Sequence, residues 1–251
     1  MNMFIGIDLH GTLLNKQEII DEKFQGHLKE ALEKLKEKAR LYVCTGNDLP
    51  FVKEVIPPDI FALFDGFILE TGCAASDGEK EFVKTPVEIQ KLSQELRKDL
   101  EKEKFSEVNE FRRRLTTVSL FCNRPKEFAE KVKDFLEKSK YREDFAATYS
   151  SVAVDVIPKG WNKFVGMQLV ADKNKIIGIA DSMNDFDFLL KSDFSFLPSN
   201  ASKEVIDKLR ERGKRVVNIK YAKPEDGVIQ SNFPEVEGVI EILEFIFSST
   251  H

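Results

Sequence analysis

Four short stretches hold residues whose types and spacing can do chemistry. Asp8-Leu9-His10-Gly11-Thr12 sets an acid, an imidazole and a hydroxyl around a glycine. Thr45-Gly46 sets a hydroxyl beside a permissive backbone, and Lys159-Gly160-Trp161-Asn162-Lys163 offers two cations. Asp181-Ser182-Met183-Asn184-Asp185 supplies two more acids. Each stretch alone has a plain structural reading. An Asp before a Gly forms turns, Thr-Gly caps helices, a single Lys is solvated, and acids in a first helical turn complement the helix dipole. Together they comprise an acid able to attack, a hydroxyl next to a glycine amide, a cation and an acidic cluster. Acids brought together repel one another unless a cation holds them. Hard oxygen ligands of this kind suit Mg²⁺, which takes one or two carboxylates plus a phosphate and keeps several waters. In outline this is a site for phosphoryl transfer.

Each stretch must be positioned by an element. Phe4-Ile5-Gly6-Ile7 reads as a buried strand, and Asp8 directly follows it. Leu41 to Cys44 reads as the strand before Thr45, and Ile176 to Ala180 as the strand before Asp181. Gly66 to Leu69, Phe194 to Leu197 and Val216 to Ile219 repeat the pattern. Phe24, Leu28, Ala31, Leu32 and Leu35 fall on one face of a helix between the first two strands. Strands that are apolar throughout, separated by amphipathic helices, predict a parallel sheet covered on both faces. In such a sheet ligands bind beyond the carboxyl ends of the strands. Asp8, Thr45 and Asp181 each stand at such an end and are expected in one crevice.

The middle of the chain differs. A charged helix over Pro86 to about Lys104, a strand over Leu115 to Cys122 and a helix marked by Phe128, Val132, Phe135 and Leu136 come in turn. Phe145 to Tyr149 and Val152 to Ile157 read as paired strands joined by Ser150-Ser151. This order predicts an antiparallel sheet with helices on one face. Residues 79–154 are therefore expected to form an α+β domain inserted into a Rossmann-like core of residues 1–78 and 155–251.

Composition narrows the function classes. The 251 residues are 42% hydrophobic and 32% charged, which supports a packed core. Acidic residues number 43 against 38 basic ones, a net charge of −5. A general nucleic-acid binder has the opposite balance. No apolar run reaches the length of about 18 residues that a membrane span needs, and no secretory signal stands at the start. Cys44, Cys73 and Cys122 lie far apart, which suits a reducing cytoplasm and argues against a disulfide framework or a structural zinc site. Abundant Lys and Glu with scarce Gln lean toward a thermophilic source.

The ordered set Asp-x-x-Gly-Thr, Thr-Gly, Lys-Gly-x-x-Lys and Asp-Ser-x-Asn-Asp resembles the haloacid dehalogenase superfamily. The insert between the second and third motifs resembles that of its C2-capped phosphatases, which include Cof-type sugar phosphatases, archaeal phosphoglycolate phosphatases, sucrose phosphatase and mannosyl-3-phosphoglycerate phosphatase. Glu70-Thr71-Gly72-Cys73-Ala74 is similar to a Glu-Asn-Gly-Ala stretch common before this cap, and Asn200-Ala201 and Asp226-Gly227-Val228 resemble its C-terminal signatures. The resemblance implies that Asp8 attacks phosphorus and becomes an aspartyl phosphate. It implies that Thr45 and the Gly46 amide hold a phosphoryl oxygen and that Lys163, rather than Lys159, offsets the charge. Mg²⁺ is then bound by Asp181, the Asp8 carboxylate and the His10 main-chain carbonyl. Asp185 binds the ion through water or orients Lys163, and Thr12 and Asn184 support these loops. The implied substrate is a small phosphorylated metabolite, a sugar phosphate or phosphorylated sugar acid, and the protein is expected to be a monomer or homodimer.

The sequence departs from the family at His10. The phosphatases usually carry an Asp there, which protonates the leaving oxygen and then activates water. His10 is read as a working acid–base group, as the mark of a slow enzyme, or as the mark of a phospho-ligand binder without turnover. A phosphomutase is a further alternative within the superfamily. Asn47 stands where many relatives have Arg, and Ala180 replaces a frequent Gly. Substrate selection is expected from the cap, where Arg112-Arg113-Arg114 is the densest basic run. It reads either as a solvated strand edge or as a grip on a second anionic group, with Arg112 and Arg114 sharing one face by alternation.

Overall fold

The computed structural model describes residues 3–112, 114–150, 152–223 and 226–249. Arg113, Ser151, Pro224, Glu225 and the two terminal pairs lie outside the described residues. Among those described, the strands form two sheets. The first half of the large sheet comprises β1 (Met3–Asp8), β2 (Ala39–Cys44), β3 (Gly66–Leu69), β4 (Ala74–Ser76) and β5 (Glu81–Val83). The chain then builds a second unit from β6 (Val108–Arg112), β7 (Val118–Cys122), β8 (Phe145–Tyr149) and β9 (Ala153–Pro158). It returns to the large sheet with β10 (Lys175–Ile179), β11 (Phe194–Leu197), β12 (Val216–Asn218) and β13 (Val228–Gln230).

The large sheet runs β12-β13-β11-β10-β1-β2-β3-β4-β5. It is parallel from β12 through β3, and β4 and β5 close one edge antiparallel. The Rossmann-like core is thus present, with β1 central between β10 and β2. Helix α1 (Glu22–Lys36) turns Leu28, Ala31, Leu32 and Leu35 into one core layer, as its spacing predicts. Helices α2 (Leu49–Val55) and α3 (Pro58–Phe61) follow β2. The opposite face buries Cys44, Ile68, Met167, Phe188, Leu189 and Leu197 in a second layer. Both faces of the parallel strands are therefore covered, which is why these strands lack polar alternation.

In the inserted unit, α4 (Val87–Lys102) and α5 (Pro125–Lys138) cover one face of the sheet β6-β7-β9-β8. Val118, Leu120, Val154 and Val156 point into that layer with Phe128, Val132 and Leu136. The alternate residues Ser119, Phe121, Ala153 and Asp155 point the other way, toward the ends of the parallel strands. By sheet membership, β5 lies with the core and all of β9 with the insert.

Three local readings are corrected by the structure. The strand expected over Leu115 to Cys122 begins only at Val118, because the backbone amides of Leu115, Thr116 and Thr117 are held by the Glu70 carboxylate. Strand β6 lies where no strand was expected, so Arg112 ends a strand instead of opening one. Arg114 lies beyond that strand, so simple alternation does not pair it with Arg112. The short strands β4, β5 and β13 were also not anticipated. The remaining helices are α6 (Lys163–Ala171), α7 (Phe186–Lys191), α8 (Lys203–Glu211) and α9 (Glu235–Ser248). Among the described residues no helix is long and apolar enough to cross a membrane.

Candidate active site

Asp8 is the last residue of β1, and its side chain is almost fully buried. Lys163 opens α6, capped by Asn162, whose side chain accepts from the Val165 amide at 3.0 Å. A close glycine contact seats this helix. Gly72 has φ +94°, and a Cβ there would lie 2.1 Å from the Asn162 carbonyl oxygen. Lys163 Nζ consequently reaches Asp8 Oδ1 and Asp185 Oδ1, each at 2.5 Å. The contact with Asp185 joins two almost fully buried groups of opposite charge. Burial pushes the Lys163 ammonium downward, but Asp185 and Asp8 outweigh it and hold the group well above its usual range.

Asp181 follows β10. Its Oδ1 accepts from Thr12 Oγ1 at 3.4 Å, and its main-chain oxygen accepts from the Ser202 amide at 2.8 Å. Gly11 has φ +77°, and a Cβ there would sit 2.4 Å from Asp181 Oδ2. Only glycine both turns the chain here and leaves space for that carboxylate. Burial, then the charges of Asp8 and Asp185, push the Asp181 carboxyl well upward. Burial also pushes Asp185 up to about 7 although Lys163 pulls against it, and Asp8 adds to the rise. Ligand atoms of Asp8, Asp181 and Asp185 lie within 4.8 Å of one another. Asp181 and Asp185, whose carboxyls resist ionisation, crowd against Asp8 with a single lysine beside them, which fits a divalent cation held by hard oxygens.

Thr45 and Gly46 follow β2 on the other side of Asp8. Thr45 Oγ1 accepts from the Asn47 amide at 3.1 Å and from Asn47 Nδ2 at 3.2 Å, so its own proton is available to donate. His10, Asn184 and Ser182 also line the cleft with Asp8, Thr45 and Gly46. Asn184 Oδ1 accepts from Ser182 Oγ at 2.6 Å. The imidazole of His10 stacks on Phe51 with centroids 5.4 Å apart. Its Nε2 is 3.1 Å from Glu18 Oε1, and its Nδ1 is 3.4 Å from Asn47 Nδ2. Those partners define Nε2 as donor to Glu18 and Nδ1 as acceptor from Asn47.

The roof of the cleft comes from the insert. Arg114 Nε donates to the Gly46 carbonyl at 3.0 Å and Nη2 to Asn47 Oδ1 at 2.5 Å, while Nη1 lies 3.6 Å from Asp48. Arg112 is directed elsewhere. It lies over the Phe121 and Phe51 rings at 4.1 and 5.3 Å, beside Glu110 and Glu18, and lines a separate surface hollow. Lys159 is exposed and donates to the Arg142 carbonyl, far from the cluster's contacts.

Sequence reasoning assigned no role to Glu70, Glu18, Ser119 or Asp155. Glu70 is buried, and its carboxylate accepts from the Leu115, Thr116 and Thr117 amides and from Thr116 Oγ1. It ties β3 of the core to the segment that carries Arg114. The signal for Asp155 was an acid inside the apolar run Ala153-Val154-Asp155-Val156-Ile157. Glu18 lay in a polar loop without any such signal.

The geometry defines an α/β protein whose acids and lysine converge at the carboxyl ends of parallel strands beneath an inserted α+β unit. A family model of haloacid dehalogenase-like hydrolases matches residues 71–215, and the chain belongs to that family. No curated protein matches it. Among solved structures, a Thermoplasma acidophilum protein is 17% identical, with 98% of this chain and 99% of that chain covered and a TM-score of 0.68. Sucrose-phosphatase from Synechocystis, in complex with sucrose and phosphate, is 14% identical, with 98% of each chain covered and a TM-score of 0.66. A haloacid dehalogenase-like hydrolase from B. subtilis is 15% identical, covers 96% of this chain and 98% of its own, and has a TM-score of 0.67. At these identities the structural likeness speaks to the fold.

Proposed function

We propose that the protein is a Mg²⁺-dependent phosphatase that hydrolyses a small phosphorylated metabolite through an aspartyl phosphate on Asp8. The observation that carries this reading is the cluster of buried Asp8, Lys163 and Asp185 with half-buried Asp181 at the strand ends. Asp8 attacks phosphorus through a carboxylate oxygen while the bond to the leaving oxygen breaks. Lys163 holds Asp8 in place and neutralises charge as the phosphoryl group arrives. The Thr45 hydroxyl and Gly46 amide bind phosphoryl oxygens. Mg²⁺, held by Asp8, Asp181 and Asp185 with the His10 carbonyl, would supply the positive charge that lets a carboxylate approach an anionic phosphate. We assign to His10 the proton exchange with the leaving oxygen and then with the attacking water, because it lines the cleft from the nucleophile's own loop. The four-stranded insert acts as a cap that selects substrate.

The test is phosphate release from a broad panel of phosphomonoesters, with and without Mg²⁺. The wild type should release phosphate only with the ion, and Asp8→Asn should lose at least about 10³-fold in kcat. Tight binding of phosphorylated ligands without release of phosphate from any of them would replace the enzyme reading by that of a binding protein.

A further inference from the structure

One face of the cap sheet carries a row of polar side chains set by its register, and the middle of that row faces the cleft. Arg112 on β6 pairs with Ser119 on β7, Ser119 with Asp155 on β9, and Asp155 with Thr148 on β8. Ser119 and Asp155 line the same cleft as Asp8, Thr45 and His10. Asp155 is enclosed by protein yet keeps a partly open side, as a group facing a cleft must. Its hydrogen-bond partner among the described residues is Ser119 Oγ, which donates to Oδ1 at 2.5 Å. A carboxylate has about four acceptor sites, so one bond leaves most of them without a hydrogen bond among the described residues on a side chain that lines the cleft. Arg114, Lys163 and His10 act on Asp155 through their charge, but none of them donates to it a hydrogen bond seen among the described residues. The hydrogen bonds of Arg114 go to Gly46 and Asn47, with Asp48 beside it, and Arg112 lies behind the Phe121 ring and lines a separate hollow.

We infer that Asp155, with Ser119, is the specificity-determining pair of the cap, and that it takes hydroxyl donors on the leaving group. Resting on the phosphatase reading, this narrows the substrate to a neutral polyhydroxy monophosphate, a sugar or polyol phosphate, over a phosphorylated acid or a bisphosphate. A carboxylate is the acceptor that hydroxyl groups favour, and it repels a second anion brought into the same cleft. A site built to bind a hydroxyl also rejects an analogue without one, because its own buried group is then left unpaired.

The experiment compares kcat/KM for hexose and pentose monophosphates, 6-phosphogluconate as a matched phosphorylated acid, and p-nitrophenyl phosphate, which carries no hydroxyl. The wild type should prefer its best sugar phosphate to the phosphorylated acid. In Asp155→Ala the ratio of kcat/KM on that sugar phosphate to kcat/KM on p-nitrophenyl phosphate should fall about 10- to 100-fold, mostly through KM. Asp155→Asn keeps the shape and guards against misfolding, and should lower the same ratio by a smaller factor. An unchanged ratio in both variants overturns the inference. So does a wild type that hydrolyses p-nitrophenyl phosphate but no hydroxyl-bearing ester, while the phosphatase reading survives. A wild type that hydrolyses neither removes the phosphatase reading and this inference with it.

Discussion

Glu70→Gln isolates the join between core and cap. Glu70 Oε1 accepts from the Leu115 amide at 2.7 Å. Oε2 accepts from the Thr116 amide at 2.8 Å, Thr116 Oγ1 at 2.7 Å and the Thr117 amide at 3.2 Å. Glutamine keeps the shape but replaces one acceptor oxygen by an NH₂ donor. Its less costly orientation turns the NH₂ toward Leu115 and keeps the oxygen on the other three donors. One buried N–H then faces a donor, which costs about 1–3 kcal/mol. The three surviving bonds lose the charge that strengthens them, bringing the total to about 2–4 kcal/mol. At about 2–4 °C per kcal/mol for a chain of this size, the melting temperature should fall about 4–16 °C. Calorimetry at neutral pH measures it, and Glu70→Ala, which strips all four bonds, should fall further. The damage should also be local. Proteolysis should open the segment around residues 112–118 before the rest, and KM should rise because Arg114 is held by that segment. An Asn- or Gln-like tolerance, with the melting temperature of Glu70→Gln within about 1 °C of the wild type, would refute the reasoning.

Three further outcomes follow from the acid cluster. Lys163→Met leaves Asp8 and Asp185 buried without their cation and should cost about 3–5 kcal/mol in denaturant unfolding of the metal-free protein at pH 8; an equal cost at pH 5, where Asp185 holds a proton, would contradict this. Gly11→Ala drives a methyl into Asp181 and strains a positive φ, so titration calorimetry should show weaker Mg²⁺ binding than in the wild type; equal affinity would count against Asp181 as a ligand. Asp181 and Asp185 hold protons more tightly folded than unfolded, the latter up to about 7, so this stabilisation is full below the ordinary carboxylate range and is lost as pH rises through it to neutrality. Metal-free melting temperatures should therefore fall over that window, and saturating Mg²⁺ should remove the fall; a metal-free rise would overturn the sign.

Much of the core was legible because its strands are buried on both faces and read as unbroken apolar runs. Gly66–Leu69 and Phe194–Leu197 have the expected limits. The short strands β4, β5 and β13 span three residues each, too few for any periodicity to register. Strand β6 was hidden by its sequence Val108-Asn109-Glu110-Phe111-Arg112, an edge strand with exposed polar residues. In the site, Asp8, Thr45 and Asp181 could be placed because strand ends in a parallel sheet point to one crevice. What decides the cap's attachment could not. Glu70 accepts bonds from residues 45 to 47 positions further along the chain, and such partners leave no mark in local spacing. Asp155 was visible only as an acid in an apolar strand, and the register alone puts it beside Ser119.

His10 shows why a departure from a family pattern is best weighed with its neighbours. The imidazole gives Nε2–H to Glu18 and accepts on Nδ1 from Asn47. Glu18 itself stands at φ +60°, a strained conformation for a residue with a Cβ, and it also approaches Arg112 of the cap at 4.0 Å. Asn47 in turn receives Arg114. The ring therefore joins the nucleophile's loop to both described arginines of the cap's basic run. An Asp at position 10 would set a second carboxylate against Glu18 and lose the donor that Glu18 accepts. The imidazole and Glu18 thus form one unit, in which the carboxylate orients the ring as a neighbouring acid orients a working histidine. Under the proposed phosphatase mechanism, a proton passing to the leaving oxygen comes from a ring nitrogen released by one of these partners, so proton transfer and the fastening of the cap would draw on the same two side chains.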